Sequence, residues 1–232
     1  MQIFSRSILN QSHALGKIWP LDSLDRIYLS FAPGGYNQDY SIQKMKRTFL
    51  IHGWGGHPNH GWKPWLKREL QNRGFKVLVP AMPNTETPSL QKWLSHLGKI
   101  TGNVSSNDFF VGHSLGCITI LRFLEALKTA SKIGGTILVA GFSSDLSYAG
   151  YKGEVSEFFQ KPLNWLEIKK HCSQFVAIHS DNDPYVPLSH GYIFKEKLDA
   201  ELIIEHNMKH FSGDDNVFEL PVVLKTILRM SK

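Results

Sequence analysis

Asp108-Phe109-Phe110-Val111-Gly112-His113-Ser114-Leu115-Gly116 is the stretch whose reading decides the fold. Phe109, Phe110 and Val111 are bulky residues of high strand propensity, and the pentad after them fits G-x-S-x-G, a strand–turn–helix elbow with a serine at the bend. Glycines two before and two after the serine suit a cramped turn, because side chains there would strike the neighbouring strand and helix. From Leu115 to Lys128 the polar residues Thr119, Arg122, Glu125 and Lys128 recur every three positions among apolar ones, which predicts a largely buried helix with one wet stripe. Free N–H groups at the start of that helix, and the positive end of its dipole, point at any anion formed beside Ser114. Three fixed positions are a weak signal alone; the apolar strand before them and the helix after them are the context the motif requires.

Working outward, short apolar runs alternate with longer amphipathic ones. The runs are Phe49-Leu50-Ile51, Phe75 to Val79, Phe109 to Val111, Ile137 to Ala140, Phe175 to Ile178 and Leu202 to Ile204. Helical patterns over Trp62 to Asn72, Ser89 to Ile100, Leu115 to Lys128, Leu188 to Leu198 and Asn216 to Met230 fill the gaps, with Gly74 as a helix stop. This alternation predicts an α/β domain, a mostly parallel sheet with helices on both faces and right-handed crossovers. Ligands of such sheets bind beyond the C-terminal ends of the strands. Residues 1 to about 45 read as an N-terminal extension, with Arg26 to Phe31 and Tyr40 to Lys46 as an edge hairpin around a Pro33-Gly34-Gly35 turn, so the domain itself spans 46–232.

With 232 residues, 42% of them hydrophobic and 20% charged, the chain suits one ordinary globular domain. The net charge of +6 raises the question of nucleic acid, yet Lys and Arg are scattered and no recognition motif accompanies them, so no nucleic-acid partner is expected. Cys117 and Cys172 give no disulfide framework, and Cys117 reads as a small buried residue. No run of about 18 apolar residues exists, so no membrane span is expected. The N-terminus lacks a secretory h-region; Arg6, Lys17 and several serines leave an organelle-targeting reading open, and the default location is cytoplasmic.

The strand ends carry the chemistry. After the first apolar run comes His52-Gly53-Trp54-Gly55-Gly56, whose glycines let the backbone turn sharply and present N–H groups; the oxyanion-hole donors expected are Trp54 and Leu115. His52, His57 and His60 share this loop, but no carboxylate or second cluster joins them, so no metal is expected. Ser180-Asp181-Asn182-Asp183-Pro184-Tyr185-Val186-Pro187 follows the fifth run and Asn207-Met208-Lys209-His210-Phe211 the sixth. Serine, acid and histidine thus succeed one another in the chain order of α/β-hydrolases. A serine hydroxyl is a poor nucleophile at neutral pH, so an imidazole must take its proton and a carboxylate must orient and stabilise the imidazolium. Ser114, Asp183 and His210 are the candidate catalytic residues, with Asp181 and His206 as the competing choices.

FVGHSLGC, Met82-Pro83 with Pro88 and Trp93, the run FFQKPLNWLEIKKHC from Phe158 to Cys172, and SDNDPYVP resemble the small α/β-hydrolases typified by the retinoblastoma-binding serine hydrolase. The similarity covers about Arg47 to Met230. It implies an α/β-hydrolase fold without a large lid domain and a Ser-Asp-His triad on Ser114, Asp183 and His210, the aspartate being the one before Pro. Members commonly carry Gly before the catalytic His, whereas here Lys209 stands there, which bears on the loop geometry and on the charge beside the imidazole.

The activity expected is therefore that of a carboxylesterase-like serine hydrolase, cleaving a small or medium-chain acyl ester, thioester or activated amide through an acyl-enzyme on Ser114, with no cofactor. Only Gly141 to Lys161 are available to cover the site, and His57, Phe142, Tyr148 and Tyr185 are the candidate pocket residues, with Tyr151, Phe158 and Phe159 as further aromatics. The partner expected is a small-molecule acyl substrate; a protein partner stays open, because a hydrolase-fold binding module with incidental turnover is an alternative, as is an acyltransferase.

Overall fold

The computed structural model describes residues 45–128, 130–146 and 155–232. The expected N-terminal hairpin, apart from residues 45 and 46, lies outside the described residues, as do Tyr148 and Tyr151.

Among the described residues six strands form one sheet: β1 (Arg47–Ile51), β2 (Lys76–Leu78), β3 (Asp108–His113), β4 (Gly135–Val139), β5 (Phe175–Ser180) and β6 (Glu201–Glu205). Their order is β2-β1-β3-β4-β5-β6 and every pairing is parallel. Because β1 and β3 are neighbours while the chain leaves β1 toward one edge and β3 toward the other, the topological switch falls between them. Ser114 and the His52–Gly56 loop therefore open on the same crevice.

Side chains alternate between the two faces of the sheet with period two. Phe49, Ile51, Phe110, Leu138 and Ala177 pack with residues of helices α2 (Leu90–Thr101), α3 (Leu115–Glu125), α4 (Trp165–His171) and α5 (Ser189–Leu198). Leu50, Phe109, Val111, Ile137, Val139, Val176 and Ile178 pack on the other face with α1 (Lys63–Gln71) and α6 (Pro221–Met230). Both faces of β3, β4 and β5 are buried, which is why these strands read as continuous apolar runs. At the end of the sheet away from the switch crevice, Asp108 is fully buried and accepts from Arg47 Nε and Nη2, both at 2.6 Å, tying β1 to β3.

Three local expectations need correction. The polar stripe of α3 is not wet: Leu115 to Leu124 are all buried, and Arg122 is 7% exposed. Its guanidinium donates to the carbonyls of Phe158 and Lys161 and to the Glu125 carboxylate, so the stripe anchors a 3-10 turn (Ser156–Phe159) and the approach to α4. Helix α3 ends at Glu125 rather than Lys128, where the Ala126 N–H is shared between the carbonyls of Arg122 and Phe123 and the last turn tightens. Helix α6 starts at Pro221 rather than Asn216; proline, which lacks an N–H, suits a first helical turn but not an interior.

Candidate active site

Strand β3 runs straight into α3, and Ser114 between them has φ 54° and ψ −121°. A non-glycine residue in this region is strained, and it persists only where its surroundings enforce it. The flanking glycines show how. A Cβ on Gly112 would lie 2.7 Å from the Cα and N of Cys117, and one on Gly116 would lie 2.2 Å from the Ile51 carbonyl oxygen. Those contacts are too short for any side chain, so the tight approach of helix to strand that holds the bend is open only to glycine at both places. Ser114 is 9% exposed, and among the described residues its hydroxyl takes part in no hydrogen bond with a protein group. Leu115 opens α3, so its N–H has no acceptor within the helix.

The loop after β1 lies against this serine. A Cβ on Gly53 would sit 2.9 Å from Ser114 Cβ and 3.4 Å from Ser114 Oγ. His52 is fully buried beneath the loop; its Nε2 accepts from the Met82 N–H at 3.0 Å, so the ring proton is on Nδ1, which donates to the Gly53 carbonyl at 2.9 Å. The same carbonyl accepts from the Gly56 N–H at 3.1 Å. Since a trans peptide sets C=O and N–H in opposite directions, clamping the Gly53 oxygen fixes the direction of the Trp54 N–H. Burial, assisted by Lys63 and His57, pushes the His52 imidazole down to about 4, so the ring stays neutral at pH 7 and keeps this tautomer.

The candidate acid and base come from the loops after β5 and β6. Asp183 Oδ2 lies 2.8 Å from His210 Nδ1, while Asp183 Oδ1 accepts the N–H groups of Tyr185 at 2.9 Å and Val186 at 3.0 Å. One oxygen shapes the turn and the other holds the imidazole; the Asp183 side chain is 1% exposed. The competing residues pair with each other instead, Asp181 Oδ2 lying 2.6 Å from His206 Nδ1 on the exposed surface. Lys209 takes φ 47°, the left-handed conformation in which glycine is most at ease, and its N–H donates to Asn182 Oδ1 at 2.8 Å. Its ammonium is 3.9 Å from Asp215 Oδ1, whose other oxygen accepts the His210 N–H at 3.1 Å. The lysine charge thus has a carboxylate partner of its own.

Two further residues tie the histidine loop to the serine elbow, and sequence reasoning missed both. His113, immediately before Ser114, places its Nε2 2.8 Å from the His210 carbonyl, with the two imidazole rings 5.1 Å apart. Trp62 donates its indole N–H to the Phe211 carbonyl at 3.0 Å. Burial holds the His113 imidazole well below its ordinary range, assisted by His210 and Lys63, so His113 is a neutral donor to that carbonyl. The only signal in the sequence was its place inside the elbow motif, which says nothing about where its ring points.

Of the candidate pocket residues, Tyr185 is exposed and sets its ring edge-on to His210 at 5.2 Å. His57 is exposed in the first loop, accepting from the Asn59 N–H at 3.2 Å. Phe142 is 3% exposed and packs in the core against Phe159 and His190. Among the described residues no group of three or more His, Cys, Asp or Glu side chains has a metal-holding arrangement, and no helix is long and apolar enough to cross a membrane.

Lys63, the first residue of α1, is 4% exposed, with its Nζ 5.6 Å from the Trp62 ring and no carboxylate paired with it among the described residues. Burial lowers its ammonium to about 8 from the ordinary 10.5. With a folded-state value below the unfolded one, the unfolded chain binds more protons between pH 8 and 10.5, so this group destabilises the fold fully below pH 8 and progressively less above it. Lys63→Met is therefore expected to stabilise the protein by about 1–3 kcal/mol at pH 7, from roughly 1.4 kcal/mol per pKa unit. The gain shrinks toward zero by pH 10.5. Urea denaturation of both proteins at pH 7 and pH 10 checks this; a loss of stability at pH 7 contradicts it.

Comparison with known proteins places these features in context. A family model described as Serine hydrolase matches residues 48–229. The Bacillus subtilis protein YdeN, which has hydrolase in its name, is 34% identical over 178 residues, covering 77% of this chain and 92% of YdeN. The crystal structure of the ydeN gene product superposes with a TM-score of 0.76 at 32% identity, over 80% of this chain and 98% of that one. A YdeN-like hydrolase from Pectobacterium atrosepticum gives 0.58 at 16% identity, over 80% and 91% of the two chains, a likeness of fold alone. The sheet, its helices and these neighbours are those of the α/β-hydrolase fold.

Proposed function

The chain belongs to the serine hydrolase family, and we propose that it hydrolyses small or medium-chain acyl esters, thioesters or activated amides through a covalent intermediate on Ser114. The observation that carries this reading is the strained Ser114, its hydroxyl without a protein hydrogen-bond partner, lying under Gly53 and next to the residue that anchors the Asp183–His210 pair. His210, with Nδ1–H held by Asp183, presents Nε2 as the base. Nε2 takes the Ser114 proton, Oγ adds to the acyl carbonyl, and the Trp54 and Leu115 N–H groups stabilise the oxyanion. The imidazolium then protonates the leaving alcohol, and water activated by the same nitrogen releases the acid and frees the serine.

Hydrogen bonds between nucleophile and base are often loose without substrate and tighten in the Michaelis complex, which fits a serine hydroxyl still unpaired. Tyr185, exposed beside His210, is the aromatic best placed to border the acyl or alcohol group. The family match over 48–229 supports 46–232 as the hydrolase domain, with 1–45 as an extension to it. The proposed likeness to the retinoblastoma-binding members rests on FVGHSLGC, Met82-Pro83 with Pro88 and Trp93, SDNDPYVP and the segment from Phe158 to Cys172, whose Phe158 and Lys161 carbonyls accept from Arg122 of α3.

An acyl-enzyme common to all esters of one acid partitions between water and an added alcohol in a ratio independent of the leaving group. Turnover of phenyl and p-nitrophenyl butyrate in dilute methanol is expected to give the same ratio of methyl butyrate to butyrate. Ratios that differ between the two esters contradict a covalent intermediate.

A further inference from the structure

A lysine at the first position of a helix, buried and without a counter-ion, is an arrangement that costs free energy unless something negative joins it. Helix α1 has no acidic residue in its first turn and no side-chain cap, so the positive end of its dipole adds to the Lys63 charge instead of offsetting it. Among the described residues Lys63 makes no hydrogen bond or ion pair. Among the described residues the buried side-chain polar atoms sealed off without a partner are Thr48 Oγ1, Asp145 Oδ1, His171 Nε2 and both nitrogens of His179; Lys63 Nζ is not one of them, so its tip keeps an opening to solvent.

Lys63 neighbours the candidate active site through Trp62. The Lys63 charge acts on both His52, under the loop that lies against Ser114, and His113, the residue before Ser114. Trp62, over whose ring Lys63 lies, stacks edge-on to His113 at 6.1 Å and holds the Phe211 carbonyl beside His210. Lys63 is thus one indole ring away from His113 and from the Phe211 carbonyl, both beside the candidate triad.

We propose that Lys63 is the docking point for a carboxylate carried by the substrate, so that the preferred substrates are esters with a free carboxylate a few bonds from the scissile carbonyl. The inference rests on the hydrolase reading for the word substrate, though not for the anion site itself. A carboxylate fits better than a phosphate. Pro64 removes one N–H from the first turn of α1, so the row of free backbone donors that cradles a phosphate is broken.

The test uses Ser114→Ala protein, which holds ligand without turning it over, titrated by calorimetry with monomethyl glutarate and dimethyl glutarate. The monoester is expected to bind about tenfold or more tightly than the diester, a factor of the size one charge-assisted contact gives. In Ser114→Ala/Lys63→Met that preference disappears, and in Ser114→Ala/Lys63→Arg a part of it returns. Equal affinity for the two esters, no binding of the monoester, or a preference that survives Lys63→Met overturns the proposal. Tighter binding of methyl phosphate than of the monoester overturns the choice of carboxylate. Because binding is read without the serine, a failure here is separate from a failure of ester hydrolysis, which wild-type turnover of p-nitrophenyl butyrate reports.

Discussion

Ser114→Ala is expected to lower kcat for p-nitrophenyl butyrate by about 10⁴-fold or more, to the residual level that binding and an oxyanion hole supply without a nucleophile. The fold should be untouched. Alanine bears the same Cβ as serine, so it inherits the strained φ of 54° without adding to it, and the Ser114 hydroxyl gives up no hydrogen bond with a described protein group when it is removed. A urea midpoint close to that of the wild type, together with the loss of turnover, therefore separates a chemical role from a structural one. Retention of more than about a tenth of the wild-type kcat would contradict the proposed mechanism, since no side chain replaces a missing nucleophile at that level.

The second large effect concerns which aspartate serves the histidine. Asp183→Asn is expected to lower kcat by about 10⁴-fold, because an amide can offer its NH₂ to His210 Nδ1 and so favour the tautomer that has no lone pair free at Nε2 for the Ser114 proton. The turn survives the change: the Asn oxygen can still accept from Tyr185 and Val186, as Asp183 Oδ1 does. Asp181→Asn is expected to alter kcat by no more than about threefold, since its partner His206 is 77% exposed and the pair contacts the solvent side of the loop. The two variants assayed side by side decide the matter. A large loss in Asp181→Asn with a small one in Asp183→Asn would move the acid two residues upstream and break the arrangement proposed here.

The parts of the fold legible in the sequence were those written in apolar runs. β3, β4 and β5 are buried on both faces, so Phe109 to Val111, Ile137 to Ala140 and Phe175 to Ile178 stood out without any partner being known. Helix α4 did not stand out, because Trp165–His171 is only two turns long and its amphipathic pattern has no room to repeat. The stripe on α3 was visible but its surroundings were not: nothing in the spacing of Thr119, Arg122 and Glu125 says that the segment 156–164 will lie over them. Ser114, Asp183 and His210 could be named because each sits at the end of an apolar run, which is where a parallel sheet presents its loops. His52, His113 and Lys63 could not, since their significance lies in the direction of a side chain. In the stretch Trp62 to Leu70 a lysine reads as part of a solvated face, yet this one is turned inward.

Gly112, Gly116 and Gly53 link the two levels. Their absence of side chains lets α3, β1 and the His52–Gly56 loop converge on Ser114, and the histidines around it then set the backbone of both loops, His52 through the Gly53 carbonyl and His113 through the His210 carbonyl. Both rings are kept neutral by burial. The candidate site is thus framed by donors that do not change charge near pH 7, an arrangement in keeping with the proposed role of His210 as the base.

The most direct test of the account is to treat the protein with a fluorophosphonate, which reacts with a serine only where a base and an oxyanion hole already act on it, and to map the adduct by mass spectrometry of the proteolytic peptides. One phosphonyl group per chain on Ser114, absent from Ser114→Ala and strongly slowed in Asp183→Asn, is the result expected. Labelling at another residue, or equal labelling of wild type and Ser114→Ala, would contradict it.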